Sequence, residues 1–380
     1  MKITARALNR ATLGRQLLLR RERLGAADAV RRVVALQAQQ PASPYLALWN
    51  RLSAFDPAEL DAAFASHTVV KSTLMRITMH AVHAEDYCPF REAMEPTLRG
   101  SRLGDPRFTA CGLTAEDAGE LLPDLLDFAA EPRTGAECMA WLGERLDAPM
   151  ELTSWRMLRQ YAPLLHSPTG GPWSFATQAT FVAARTRPVL ADPGVPTTAL
   201  PTLIRRYLAG FGPASVPDMA RFALVQRSRV KAAVQALGDE LEQLEGPDGT
   251  VLYDLPGASL PPEDTPAPPR LMAMWDSILL AYAGRGRVIP EDYRTHVTRI
   301  NGDVLPTLLV DGYVAGVWRA VAGGIEATAF HPLPAEAWAG LAAEAGSLLS
   351  FLADRDPRVY SRYDHWWSKL RDGETRRLPG

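Results

Sequence analysis

The sequence predicts a helix-rich α+β protein assembled from tandem winged-helix motifs with a β-rich C-terminal region. Three observations carry this expectation. In ASVPDMARFALVQRSRVKAAVQALGDELEQLEGPDGTVLYDL, two short helix patterns are followed by a Pro247-Asp248-Gly249 turn between strand-like runs, the order helix, turn, helix, hairpin of a winged helix. The N-terminal third repeats that order, and a less regular copy lies between the two. Beyond the proline-rich PGASLPPEDTPAPPR, the run LPTLLVDGYVAGVWRAV reads as a hairpin turning at Asp311-Gly312, closed by the helix AEAWAGLAAEAGSLLSFL. The expected units are residues 1–110, 111–195 and 196–260, each a winged-helix unit, and 271–380 for the β-rich region.

In chain order, residues 1–32 hold nine basic residues against Glu22 and Asp28, a balance of +7, while residues 110–152 hold ten acidic residues against Arg133 and Arg145, a balance of −8. The formal total of −2 hides this segregation. A basic arm and an acidic stretch allow an oriented approach to a polyanion, or are two solvated helix faces. Val30, Val33, Val34 and Gln37 fall at helical spacing, which puts Gln37 on an inward stripe. Pro41 biases Gln40 out of the helical region, so the chain is expected to be extended around Ala38 to Gln40, where residues two apart share a face. Gln37 and Gln39 can then converge on one cleft. The other reading of these glutamines is a helix end whose loose carbonyls they satisfy.

Ser43 is expected to cap the next helix, with Pro44 in its first turn and Tyr45, Leu48, Trp49 and Leu52 facing inward. Asp56 and Pro57 open a further helix, with Glu59 completing a capping box. TVVKSTLMRITMHAVHA then reads as two extended segments, with Ile77, Met79 and Ala81 on one face. In the 196–260 unit, Ser215 and Ser228 are the expected caps, and Val230, Ala233, Val234 and Leu237 the inward stripe. The proline-rich stretches 186–201 and 256–270 should be stiff joints that fix how neighbouring units sit.

Familiar catalytic signatures are missing: there is no phosphate-binding loop, no H-E-x-x-H, no G-x-S-x-G elbow and no glycine fingerprint of a dinucleotide fold. Cys88, Cys111 and Cys138 are too scattered for a disulfide framework or a zinc site. His80 and His83 in MHAVH point to opposite faces of a strand, which argues against a metal pair. Trp366 and Trp367 in DHWWSKLRD either stack on bases or seal a terminal helix against the body. No apolar run approaches the ~20 residues of a membrane span, and MKITARALNRATLGRQ lacks a signal-peptide core, so a cytoplasmic, nucleoid-associated protein without cofactor, metal or membrane partner is expected.

Five blocks in order, LQAQQPASPYLALWNRL, STLMRITMHAV, LIRRYLAGFGPASVPDMARFA, LMAMWDSILLAYAGRGRVIP and LPTLLVDGYVAGVWR, resemble those of the bacterial winged-helix DNA glycosylases of the AlkZ and YcaQ type. The resemblance implies a C-shaped scaffold of tandem winged helices around a DNA channel and monofunctional excision of N7-alkylated purines. It maps the family's glutamine, apolar residue, glutamine signature onto Gln37-Ala38-Gln39, the version that looks most like the branch unhooking azinomycin-type interstrand crosslinks. Gln39 would hold the nucleophilic water and Gln37 would orient the lesion or that water. The partner implied is double-stranded DNA containing alkylated or crosslinked purines. Lys71, Arg76, Arg285 and Arg287 are candidate phosphate contacts, and the hairpin tip at Asp311 and Gly312 is a candidate to press into the duplex. The alternative is a winged-helix transcription regulator, with Arg227, Arg229 and Lys231 of the helix 228–237 meeting DNA.

Overall fold

A computed structural model describes residues 2–370 and 373–379 of the chain. The expected segments that include Met1, Arg371, Asp372 or Gly380 lie outside the described residues at those positions. The chain opens with α1 (Ala5–Arg15) and α2 (Ala26–Arg32). Helix α2 stops at Arg32, so Gln37 does not ride on a helical stripe as its spacing predicts. Val34 takes φ = 76° and turns the chain into the two-residue strand β1 (Leu36–Gln37). A β-branched residue in the left-handed region costs on the order of 1–3 kcal/mol, so this turn must be held from outside. It is: Gln16 Nε2 donates to the Val33 carbonyl at 3.2 Å, and Ser277 Oγ donates to the Ala35 carbonyl at 2.8 Å.

Helices α3 (Ser43–Arg51) and α4 (Pro57–Ala65) follow, with the expected proline in each first turn and Tyr45, Leu48, Trp49 and Leu52 buried. Ala42, not Ser43, occupies the N-cap of α3, and the Ser43 hydroxyl is spent on Tyr360 at 2.9 Å. Asp56 caps α4, but Glu59 completes no capping box: its carboxylate accepts from the Ala26 N–H at 3.1 Å and ties α4 to α2. Two extended segments form, β2 (Val69–Leu74) and β3 (Thr78–His83), but Ile77 does not share a face with Met79 and Ala81: it lies in the 3-10 turn Met75–Ile77 that joins them and packs in a different core.

The long α5 (Ala84–Arg102), the one-turn α6 (Pro106–Thr109), α7 (Ala115–Phe128), β4 (Arg133–Thr134), α8 (Gly135–Leu146), α9 (Leu152–Tyr161), β5 (Leu164–Ser167) and β6 (Thr180–Ala183) complete the middle of the chain. The wings of the first two winged-helix motifs merge into one six-stranded sheet, ordered β1-β3-β2-β5-β6-β4, in which Lys71 of β2 pairs with His166 of β5. One face carries Leu36 and Ala81 into a core shared with the C-terminal region; the other carries Val70, Leu74 and Val82 into a core shared with α5 and the helices after it. That double burial is why the strands lack clean alternation.

The next motif consists of α10 (Val195–Phe211), α11 (Val216–Ala223), α12 (Arg227–Leu237) and the hairpin β7 (Glu242–Glu245) and β8 (Val251–Asp254). Ser215 caps α11 with a full capping box to Asp218; α12 begins one residue earlier than the Ser228 cap predicts, with Gln226 at the N-cap, and buries Val230, Ala233, Val234 and Leu237 as expected. The proline-rich stretch after β8 straps α1, with Arg6 and Arg10 donating to the carbonyls of Glu263 and Thr265 at 2.9 and 2.7 Å.

The C-terminal region contains β9 (Arg270–Leu271), the short α13 (Arg294–Val297), β10 (Thr307–Val310), β11 (Tyr313–Val321), β12 (Gly324–Ala329), α14 (Ala335–Leu352) and β13 (Glu374–Leu378). Its five strands are ordered β13-β12-β11-β10-β9, with the β10–β11 turn at Asp311-Gly312 where the sequence puts it. The Trp366–Trp367 segment is a 3-10 helix, Ser361–Lys369, with Trp366 buried against the body, so it seals.

The basic arm is largely spent on internal ion pairs: Arg6 and Arg10 on Asp311, Arg15 on Asp254, Arg21 on Glu344 and Arg31 on Glu85. No helix among the described residues is long and apolar enough to cross a membrane.

Candidate nucleic-acid and excision site

Gln37 pairs with His80 across β1 and β3, and the Ala38 N–H donates to the Met79 carbonyl at 2.8 Å, extending the pairing past the strand. The Gln37 side chain is buried. Its Nε2 donates to Thr78 Oγ1 at 3.0 Å, and its Oε1 accepts from Arg76 at 2.9 Å. The same Arg76 nitrogen lies 3.2 Å from His80 Nε2, while His80 Nδ1 lies 3.1 Å from the Thr78 carbonyl. A carbonyl only accepts, so Nδ1 carries the proton and Nε2 accepts from Arg76. Thr78 Oγ1 spends its own proton on the Met75 carbonyl at 3.1 Å. Each donor and acceptor has one consistent role, and the Gln37 carboxamide cannot flip without breaking two bonds.

Gln39 stands differently. It is exposed, and its Oε1 reaches only the Met79 N–H at 3.4 Å. The NH2 and the second Oε1 lone pair are left for a ligand or water. The two carboxamides therefore converge on adjacent residues, Thr78 and Met79, at the start of β3. The chain is extended only at Leu36–Gln37 and bends at Gln39 and Gln40, so Gln37 is buried while Gln39 is exposed.

The turn feeding this point is held in left-handed backbone at Arg76 (φ 55°) and at Ile77 (φ 56°). Strain of this kind persists where the surroundings over-determine it. Arg76 carries no carboxylate partner among the described residues; burial, and then the charges of Arg221 and Arg285, lower its pKa to about 10. Burial, and then Arg76, push His80 down to about 3. The folded state thus binds fewer protons than the unfolded chain between about 3 and the ordinary 6.5, so acidification through that interval destabilises the fold.

Neither carboxamide titrates, His80 stays neutral and Arg76 stays charged across ordinary pH. We expect a single-turnover excision rate that is flat from about pH 5 to pH 8. A rate following one ionisation across that range would contradict this assignment.

Arg221 and Arg285 also line a cleft of about 860 Å³ between α5, the α11–α12 turn and the segment before α13, with Arg227, Arg229 and Arg294 on its walls. Among the described residues, no acidic one lines it. Arg294 is paired with Glu291 at 3.4 Å, and the remaining arginines give the cleft an excess of positive charge that suits a polyanion; Arg221 and Arg285 lie near enough to act on the charge of Arg76. Arg285 donates to Thr298 Oγ1 at 2.5 Å, at the base of a tight turn in which Gly302 N–H donates to the Arg299 carbonyl at 3.0 Å. On that turn sits Ile300, at 102% relative exposure, whereas no other large apolar side chain described exceeds 53%.

The remaining expected contacts are distributed as follows. Lys71 is buried on β2, its ammonium 4.1 Å from the Phe175 ring centroid, with burial pushing its pKa down to about 8. It pairs with Ala81, so it lies on the sheet face opposite His80 and Gln37. Arg287 stacks over Tyr282 at 4.0 Å and donates to the Pro213 carbonyl at 2.8 Å. Asp311 receives Arg6 and Arg10, and Gly312 is buried with φ = 82°, its carbonyl accepting from Asn9 at 2.8 Å. A Cβ at Gly312 would run into Asn9, Arg10 and Leu13. The turn at Asp311 and Gly312 is therefore packed onto α1, and Ile300 is the apolar tip that stands free. Of the helix residues expected for a regulator, Arg227 and Lys231 are exposed, whereas Arg229 is turned back to the Pro196 carbonyl at 3.1 Å.

Sequence reasoning missed Thr78, His80, Arg221, Arg294 and Ile300. The strand register that puts His80 opposite Gln37 has no sequence signal. R-I-N-G-D, an apolar residue inside a turn pattern, was the available clue to Ile300.

A family model described as DNA glycosylase AlkZ-like matches residues 30–351. A relative from Streptomyces sahachiroi, described as an interstrand DNA cross-link repair glycosylase, is 26% identical, covering 87% of this chain and 91% of that protein. The solved structure of Streptomyces sahachiroi DNA glycosylase AlkZ superposes with a TM-score of 0.77 at 23% identity, covering 92% of this chain and 96% of that one. The family match spans the glutamine strand, the arginine-walled cleft and strands β9 to β12 of the C-terminal sheet, and on it the chain belongs to the AlkZ-like family of DNA glycosylases.

Proposed function

We propose that this protein is a monofunctional glycosylase for N7-alkylated purines in duplex DNA, and that it unhooks N7-linked interstrand crosslinks, as part of DNA repair and self-resistance to a genotoxic natural product of the azinomycin type. The observation that carries the reading is the pair of converging carboxamides whose hydrogen-bond partners include no carboxylate and whose neighbouring imidazole is neutral. A site of that kind has no general acid to offer. N7 alkylation makes one unnecessary, because the purine already carries a positive charge.

Water held by the Gln39 carboxamide oxygen adds to the anomeric carbon as the C1′–N9 bond breaks. The bonding electrons pass to the purine and cancel its charge, and the water's surplus proton goes to solvent. Gln37, clamped by Arg76 and Thr78, supplies a fixed wall against which lesion and water are placed. A phosphate received by Arg76, Arg221 and Arg285 relieves their mutual repulsion and brings negative charge beside the sugar as it acquires oxocarbenium character. Among the described residues, Lys71, the lysine nearest in sequence to the glutamine strand's partner, occupies the other sheet face, away from Gln37; this supports hydrolysis without strand cleavage.

Ile300 on its rigid turn is suited to wedge against a base step, and its arginine neighbours to hold the backbone. The bulk of a crosslinked base, tethered to the opposite strand, suits an open cleft better than a closed flipping pocket. The name of the Streptomyces sahachiroi relative supports the crosslink part of the reading.

The test is a comparison of two duplexes under single turnover, one with N7-methylguanine and one with the uncharged lesion hypoxanthine. Release of the first, leaving an intact abasic strand, with the second slower by at least about 10³-fold, is expected. Equal rates on both, or no release of N7-methylguanine, would overturn the proposal. A winged-helix regulator would bind one palindromic sequence and release nothing.

A further inference from the structure

Gln40, adjacent to the site, has no chemical part in the mechanism above, yet it is held firmly. Its Nε2 donates to the Tyr363 hydroxyl at 2.5 Å. The Tyr363 ring stands edge-on to Trp275, with centroids 5.5 Å apart. Trp275 Nε1 donates to the Gly302 carbonyl at 3.0 Å, the residue that closes the Ile300 turn. Next to it, Trp366 Nε1 donates to Asp303 at 2.8 Å. Trp275 itself is held at φ = 55°, a left-handed backbone conformation that its surroundings must maintain. One unbroken chain of contacts therefore leads from the exposed apolar turn to the residue after Gln39.

We propose that Tyr363, with Gln40 and Trp275, is a positioning residue that couples seating of the Ile300 turn on duplex DNA to the placement of Gln39. This rests on the glycosylase reading and adds a device to it. Gln40 and Pro41 leave β1 at a bend with no strand partner; the Ser43 N–H donates to the Gln40 carbonyl at 3.1 Å, so the Tyr363 hydroxyl is what fixes the Gln40 side chain. A shift of the Ile300 turn moves Gly302, the Trp275 indole and the phenol together, and the backbone at Gln39 follows. The physical advantage is that hydrolytic geometry is completed only on a duplex, where an abasic product is useful.

The test uses the full chain and two readouts. Tyr363→Phe keeps the ring on Trp275 and removes only the hydroxyl. It is expected to lower single-turnover excision of N7-methylguanine about tenfold while the Kd for lesion duplex stays within about twofold and the Tm is unchanged. Gln40→Ala should give the same loss, the double variant no further loss, and Gln40→Glu should recover the rate, because the phenol can donate to a carboxylate. The second readout is hydrogen exchange. Undamaged duplex should slow exchange of residues 299–303 in both proteins, but of residues 36–43 only in the wild type.

Protection of both segments in Tyr363→Phe, or additive losses in the double variant, would overturn the coupling. A wild type that releases no N7-methylguanine would overturn the glycosylase reading instead, and the hydrogen-exchange comparison would still decide the coupling.

Discussion

Replacing Gln39 by alanine is expected to slow single-turnover excision by about 10²–10³-fold, the loss typical of a preorganised polar group in a transition state, with lesion-duplex affinity changed by no more than about threefold. The argument rests on the asymmetry between the two glutamines. Gln39 is exposed and makes one long contact of 3.4 Å, so its removal leaves the fold intact and takes away only what it offers to a ligand. Gln37 is buried and carries two bonds, so Gln37→Ala should slow excision comparably and also loosen Arg76, which then keeps its His80 contact and its place over the Phe222 ring. Its signature is a modest stability loss, on the order of 1–2 kcal/mol, that Gln39→Ala does not show. Wild-type rates in both variants would remove the carboxamides from the mechanism.

The largest effect on stability is expected at the Arg51–Asp276 pair, whose side chains are both fully buried. Two parallel bonds of 2.8 Å join them, and Arg51 also reaches the Ala47 carbonyl at 3.0 Å and Gln16 at 3.3 Å. The pair ties α3 to the segment whose Ser277 holds the chain entering β1, so it sits behind the excision site. Removing either partner leaves an uncompensated charge in a dry interior, and Asp276→Ala or Arg51→Met should each cost about 3–5 kcal/mol in urea unfolding. Removing both should cost far less than the sum, because the ion that makes each single variant expensive is then gone. Additive losses would mean the pair contributes independently at each end.

The helices were the most readable part of the chain. Asp56 with Pro57, Ser215 with Asp218 and the Asp311-Gly312 turn are local devices, and each forms where residue chemistry puts it. What the sequence hid is long-range. Val30, Val33 and Val34 fit a helix reaching Gln37, yet the left-handed Val34 and two outside clamps end it early. Burial of the sheet on both faces erases the alternation that would have assigned sides to Lys71 and His80.

Charge misled in the same way. The nine basic residues of the N-terminal arm look like a DNA surface, but Arg10 and Arg15 are buried clamps for Asp311 and Asp254, partners hundreds of residues away. The arginines that line the cleft are scattered singly through the sequence, and nothing local distinguishes them. Gln37 and Gln39 carry a local signal, and Arg76 and Arg285 are reached through the resemblance and their charge. Proline at position 41 keeps the chain out of the helical region, but the strand ends at Gln37 and the chain bends at Gln39 and Gln40, which leaves Gln39 exposed.

The central claim is that two positioned carboxamides and an arginine-walled cleft suffice to release a base that is already cationic, even when that base is tied to the other strand. Incubating the protein with a duplex carrying one N7-linked interstrand crosslink, and resolving the strands under denaturing conditions, tests it most directly. Strand separation leaving an unbroken abasic strand, lost in Gln39→Ala, is the predicted result. Strands that stay joined after prolonged incubation with excess protein, or that separate equally well with Gln39→Ala, would contradict it.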